Sequence, residues 1–173
     1  MTTLVAVALG TMAFLAAGCG GSGGDATPTE HSVRAHVVRV VDGDTIEVSI
    51  DGAEEDVRYI GIDTPETVKP GTPVECYGPR ASTENHRLVE GRTVRLVFDR
   101  ERRDVYGRLL AYVYTRTKDG GDGAGRPRFV NAELVRLGYA RTLTIAPNTA
   151  HEGLFSRLEA RAGQAGRGLW GSC

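Results

Sequence analysis

A chain of 173 residues with 40% hydrophobic and 25% charged residues has room for one domain, and its composition is ordinary for a globular protein with a buried core. A formal charge of −1 excludes the global basic field common among nucleic-acid binders, so any affinity for phosphate has to be local. Nine arginines between Arg80 and Arg116 supply a local concentration, and lysine occurs only at Lys69 and Lys118. Guanidinium suits bidentate recognition of phosphate or carboxylate, although a GC-rich genome gives the same bias.

In chain order, residues 1–18, "MTTLVAVALGTMAFLAAG", carry no charge and have an apolar run of signal-peptide length that ends in small residues. They are assigned to export, not to the fold. Cys19 follows in "LAAGC", which resembles the lipobox of bacterial lipoproteins, where the cysteine becomes the lipidated first residue of the mature chain. Ala16 stands where leucine is commoner, and an ordinary secretory signal that ends near a cysteine is the alternative. Residues 19–32 form a Gly/Ser/Thr/Pro tract too polar to pack, hence a flexible tether, and 33–173 form the domain.

"VRAHVVRVV" from Val33 to Val41 reads as a strand, and "TIEVSI" alternates with Ile46, Val48 and Ile50 on one face. Asp51-Gly52 signals a tight hairpin turn, and "VRYIGI" is the return strand of a three-strand meander. Residues 63–79 hold four prolines and two glycines in 17 positions and read as a long loop, a feature often functional in compact domains. "RASTENHRLVEG" is a helix with Pro79 in its first turn and Gly91 as its stop. "TVRLVFD" and "LLAYVYT" are two more strands around the charged turn "RERRDVYGR", and Lys118 to Arg128 is a glycine-rich loop. "NAELVRLG" is a helix closed by Gly138, His151 to Gly163 is an amphipathic helix with Leu154 and Leu158 inward, and Trp170 is an aromatic anchor. The order is mainly β with α (α+β): a five-stranded OB-fold barrel with about three helices.

Cys76 and Cys173 are an even pair in a chain that reads as exported, which favours a disulfide over a metal site; two free thiols are the alternative. A bridge between them would pin the C-terminus.

Asp42 and Asp44 in "VVDGDTIEV" are either turn formers or metal ligands, and the pair alone does not decide it. A second acidic cluster, "DTPE" at Asp63 to Glu66, leaves the same small meander. Carboxylates from two strand ends, with a carbonyl such as that of Thr64 held extended by Pro65, make a sensible partial shell for a hard cation such as Ca²⁺. An EF-hand is excluded, because Ile46 stands at its fifth position. With Arg58 leading into "DTPE" and Arg108 in "DVYGR", the set suits phosphodiester hydrolysis. Metal and arginines would neutralise charge growing on the phosphate while a carboxylate handles water.

"VVDGDTIEV", "VRYIGIDTPE", "ECYGPRAS", "DVYGRLLAYVY" and "NAELVRLGYA" together resemble the staphylococcal nuclease (thermonuclease) family, in order and spacing, from about Val33 to Trp170. The resemblance implies an OB-fold barrel and Ca²⁺-dependent hydrolysis of DNA and RNA that leaves 3′-phosphates. It implies that Asp44, Asp63 and the Thr64 carbonyl bind Ca²⁺, that Glu66 acts on the attacking water, and that Arg58 and Arg108 hold the phosphate. Asp42 becomes a water-mediated ligand or turn former, and Tyr106 lies against the terminal phosphate. Where family members carry base-stacking aromatics this chain has "RTLTIAPN", with Thr144 and Ala146 in that region, so weaker nucleotide contacts are expected. The reading is a monomeric nuclease, lipid-anchored at the membrane or secreted. The alternative, a non-catalytic OB-fold binding module, has no use for the full quintet of Asp44, Arg58, Asp63, Glu66 and Arg108.

Overall fold

The computed structural model describes residues 31–67, 71–116 and 125–173; the expected export segment, Cys19 and nearly all of the tether lie outside the described residues. Strands β1 (Ser32–Val40), β2 (Thr45–Ile50) and β3 (Ala53–Tyr59) form the meander, with β1 opening one residue ahead of the expected Val33. A bulge between Val37 and Arg39 changes the inward parity of β1, which is how Val37 and Val40, three apart, are both buried. The Asp51-Gly52 turn has φ of 51° and 88°, the two positive values of a type I′ hairpin, so β2 and β3 join through those two residues as expected.

The run "VRYIGI" is two strands, not one. It breaks after β3, and β4 (Gly61–Asp63) leaves the barrel to pair with β8 (Arg141–Leu143). Gly61 makes the break possible: its φ is +80°, and a Cβ there would sit 2.5 Å from the Phe155 ring. Buried Asn131 fills the gap in the ladder, donating to the Ile60 carbonyl and accepting from the Val113 N–H, both at 2.9 Å.

After helix α1 (Gly78–Val89) come β5 (Thr93–Val97), β6 (Leu109–Arg116) and β7 (Pro127–Phe129). The sheet order β3-β2-β1-β5-β6 closes on itself through a parallel β3–β6 pairing, giving the five-stranded OB-type barrel. Strand β7 begins in the expected glycine-rich loop of 118–128, of which residues 118–124 are outside the described ones. It forms because Phe129 stacks on Tyr114 of β6, centroids 4.5 Å apart, directly across the ladder.

Helix α2 (Val130–Leu137) is capped by Gly138 as expected; α3 (Glu152–Gln164) and the short α4 (Leu169–Ser172) follow. On α3 the core side is taken by Phe155 and Ala162, with Leu154 and Leu158 half-buried beside them. Trp170 is not the anchor: it is 36% exposed with the Arg141 guanidinium over its ring, while neighbouring Leu169 is 2% exposed. Cys76 and Cys173 form the expected disulfide, with 6.0 Å between their Cα atoms.

This closure positions the site. Val57 faces Leu109 and Arg58 faces Leu110 in a parallel register, so Arg108, just before β6, emerges beside Arg58. The 42–44 bend and the end of β4 open on the same rim.

Candidate active site

The 42–44 bend is built to turn one carboxylate inward. The Asp44 N–H donates to Asp42 Oδ1 at 2.9 Å, an Asx turn. From α1, Asn85 donates to the Asp42 carbonyl at 2.9 Å and accepts the Tyr59 hydroxyl at 2.9 Å. Asp44 is left 1% exposed, and its Oδ2 accepts two bonds from Thr64, from the N–H at 2.7 Å and from Oγ1 at 3.0 Å. Gly43 allows this approach, because a Cβ there would lie 2.6–2.8 Å from three Thr64 side-chain atoms. Gly43→Ala is therefore expected to push "DTPE" off Asp44 and to cost about 1–3 kcal/mol, an overpacking effect read by urea unfolding. Unchanged stability would show that the Thr64 contact is dispensable.

Arg58 pairs with both acidic clusters at once, touching Asp44 Oδ1 and reaching Asp63 Oδ1 at 2.6 Å. One positive group thus sits between a buried carboxylate and one whose side chain is 53% exposed. Two carboxylates converging on a common positive charge, with all-oxygen donors, fit a hard divalent cation. Among the described residues no three His, Cys, Asp or Glu side chains cluster as a metal site, so carbonyl oxygen and water would have to complete the shell around Asp44 and Asp63.

Arg108 is held from its own turn: Asp104 Oδ2 accepts its Nε–H at 2.7 Å, and Asp104 Oδ1 accepts the Arg108 and Tyr106 N–H groups at 3.0 Å. Tyr106 is 81% exposed, and the Arg108 guanidinium carbon lies 5.4 Å from its ring centroid. Glu66 is half-buried at the start of the loop, with Oε1 accepting the Thr67 N–H at 2.8 Å.

A cleft of about 430 Å³ is lined by Asp42, Asp44, Arg58, Asp63, Thr64, Glu66, Tyr106 and Arg108, all of the residues singled out in the sequence for the metal and the phosphate. Within it, burial pushes the Asp42 carboxyl above its ordinary range, the Arg58 charge pulls it back, and the Glu66 charge adds to the rise. A second cavity of about 350 Å³ shares Arg58, Tyr106 and Arg108 and continues to Leu143 and Ile145. These two, not Thr144 and Ala146, line that second cavity: Leu143 ends β8, and Ile145 bridges to Asn148 across a turn that holds Ala146. The shelf is aliphatic where stacking aromatics were missed in the sequence.

Three residues that hydrogen-bond to residues of this site carried little signal. Asp104 stands four residues before Arg108 and meets it within one turn, Asn85 lies on an unremarked helix face, and Glu75 precedes a cysteine; the contacts of the last two join segments that the fold brings together.

A closed five-stranded barrel whose rim gathers three aspartates, a glutamate and two arginines into one cleft defines an OB-fold protein of the phosphoryl-handling kind. Residues 56–172 match the family model described as "Staphylococcal nuclease homologue". The chain is 40% identical over 134 residues to the thermonuclease of Staphylococcus hyicus, covering 78% of this chain and 73% of that protein. Against the thermonuclease of Staphylococcus intermedius it is 42% identical, covering 78% and 74%. Against Endonuclease YncB of Bacillus subtilis (strain 168) it is 40% identical, covering 76% of this chain and 59% of that one. The chain belongs to the staphylococcal nuclease family.

Proposed function

We propose that this chain is a Ca²⁺-dependent nuclease that hydrolyses phosphodiester bonds of DNA and RNA and leaves 3′-phosphates. The observation that carries the reading is the single cleft holding Asp44, Arg58, Asp63, Glu66 and Arg108. Its similarity to thermonucleases and an endonuclease supports the same reading.

In this mechanism Arg58 and Arg108 hold the non-bridging oxygens of the phosphate and match the charge that grows on them. Glu66 takes a proton from the attacking water, whose oxygen bonds to phosphorus as the P–O5′ bond breaks; the leaving 5′ oxygen takes a proton from solvent, and the phosphate stays on the 3′ oxygen. Asp44, Asp63 and the Thr64 carbonyl would hold Ca²⁺, which supplies further charge neutralisation. Tyr106 lies along the phosphate, Asp42 shapes the turn beneath Asp44, and Leu143 with Ile145 offers an apolar shelf to the base. The apolar residues 1–18 and Cys19 support an exported protein, lipid-anchored or secreted.

Purified protein incubated with plasmid and with RNA is expected to degrade both in Ca²⁺ and neither in excess EDTA. Cleavage that survives EDTA, or none in saturating Ca²⁺, overturns this reading.

A further inference from the structure

The loop that carries Glu66 is closed at its base by one residue. The Glu66 N–H donates to Glu75 Oε2 at 3.1 Å, and the Glu75 N–H donates to the Glu66 carbonyl at 2.9 Å. Both backbone polar groups of Glu66 are therefore gripped by a residue nine positions later. Gly78 closes the clasp from below, since a Cβ there would come 3.0 Å from the Glu66 carbonyl and 2.9 Å from that of Pro65.

Glu75 is exposed, so water competes for both of these bonds. A covalent anchor stands next to it. Cys76 is bridged to Cys173 at the end of α4, and α4 is set into the fold by Leu169, buried and donating its N–H to the Gly138 carbonyl at 2.9 Å. The clasp is thereby tied to the end of α2 as well as to the barrel.

We propose that Glu75, anchored through the Cys76–Cys173 bridge, is a positioning residue that fixes Glu66 over the cleft. This rests on the reading of Glu66 as the carboxylate that acts on water. A carboxylate displaced by about 1 Å can lose as much as a hundredfold in rate.

Glu75→Ala is expected to lower kcat on a quenched single-stranded oligonucleotide by about tenfold, with KM unchanged. Glu75→Gln keeps an oxygen that accepts the Glu66 N–H and should recover most of that loss. In a Glu66→Ala background, Glu75→Ala should cost nothing further. Wild-type kcat in Glu75→Ala, or an equal loss in both backgrounds, overturns the proposal. Amide exchange of the Glu66 N–H, followed by NMR, tests the clasp without activity: it should quicken in Glu75→Ala and recover in Glu75→Gln. If Glu66→Ala cleaves at the wild-type rate, the reading of Glu66 is what fails. Unchanged exchange in Glu75→Ala still overturns the clasp in that case.

Discussion

Glu66→Ala is expected to lower kcat by roughly 10²- to 10⁴-fold while the fold survives. The size of the loss follows from the chemistry assigned to the side chain. With no carboxylate to take its proton, the attacking water is a poor nucleophile at neutral pH, and the two arginines cannot replace a base because guanidinium does not give up its own proton. The fold should be indifferent. Glu66 lies at a loop, half-buried, and its Oε1 bond to the Thr67 N–H is a local one. Surface changes of this sort usually stay within about 0.5 kcal/mol of neutral. The check is a pair of measurements on the same preparation, initial cleavage rates in saturating Ca²⁺ and a thermal melt. Wild-type turnover with an intact melt would remove Glu66 from the mechanism and leave the cleft as a binding site.

What could be read from the sequence divides along physical lines. The meander, its Asp51-Gly52 turn and the three longer helices were legible because each announces itself locally, by period-two alternation, by a turn dipeptide or by a capping glycine. Strands β4, β7 and β8 were not: each is three residues long and exists only because a distant partner completes its ladder, Gly61 against Leu143 and Phe129 against Tyr114. Trp170 and Leu169 show the same limit. Which neighbour is buried depends on how α4 meets Gly138, and composition favours the wrong one.

The site was legible to the extent that its residues fall in short motifs. The rim of the barrel brings all eight together because the parallel β3–β6 closure aligns the two arginine segments. What the motifs do not carry is the support. Asp104 beneath Arg108, Asn85 beneath Asp42 and Glu75 beside Glu66 are ordinary polar residues in sequence, given meaning by where the chain folds back. The arginine concentration divides in the same way. Arg87, Arg103 and Arg108 are paired with Glu84, Glu55 and Asp104, so at least three of the nine arginines in that run are neutralised within the fold.

Removing the bridge by Cys76→Ser with Cys173→Ser is expected to cost about 4–5 kcal/mol of stability. The two residues are 97 apart, so the bridge closes most of the described chain into one ring and removes the conformations that the open unfolded chain would otherwise have. Against a total stability of about 5–15 kcal/mol for a domain of this kind, such a loss leaves a thin margin. The docking of α4 does not rest on the bridge alone, since Leu169 is buried and bonded to Gly138. The effect should therefore appear chiefly through the unfolded state: urea unfolding should show a lower midpoint and a steeper m-value, because the open chain exposes more surface. A reductant acting on the wild-type protein should reproduce the same midpoint. A loss below about 1 kcal/mol would mean that the ring adds little to what Leu169 already secures, and the entropic account of this bridge would have to be given up.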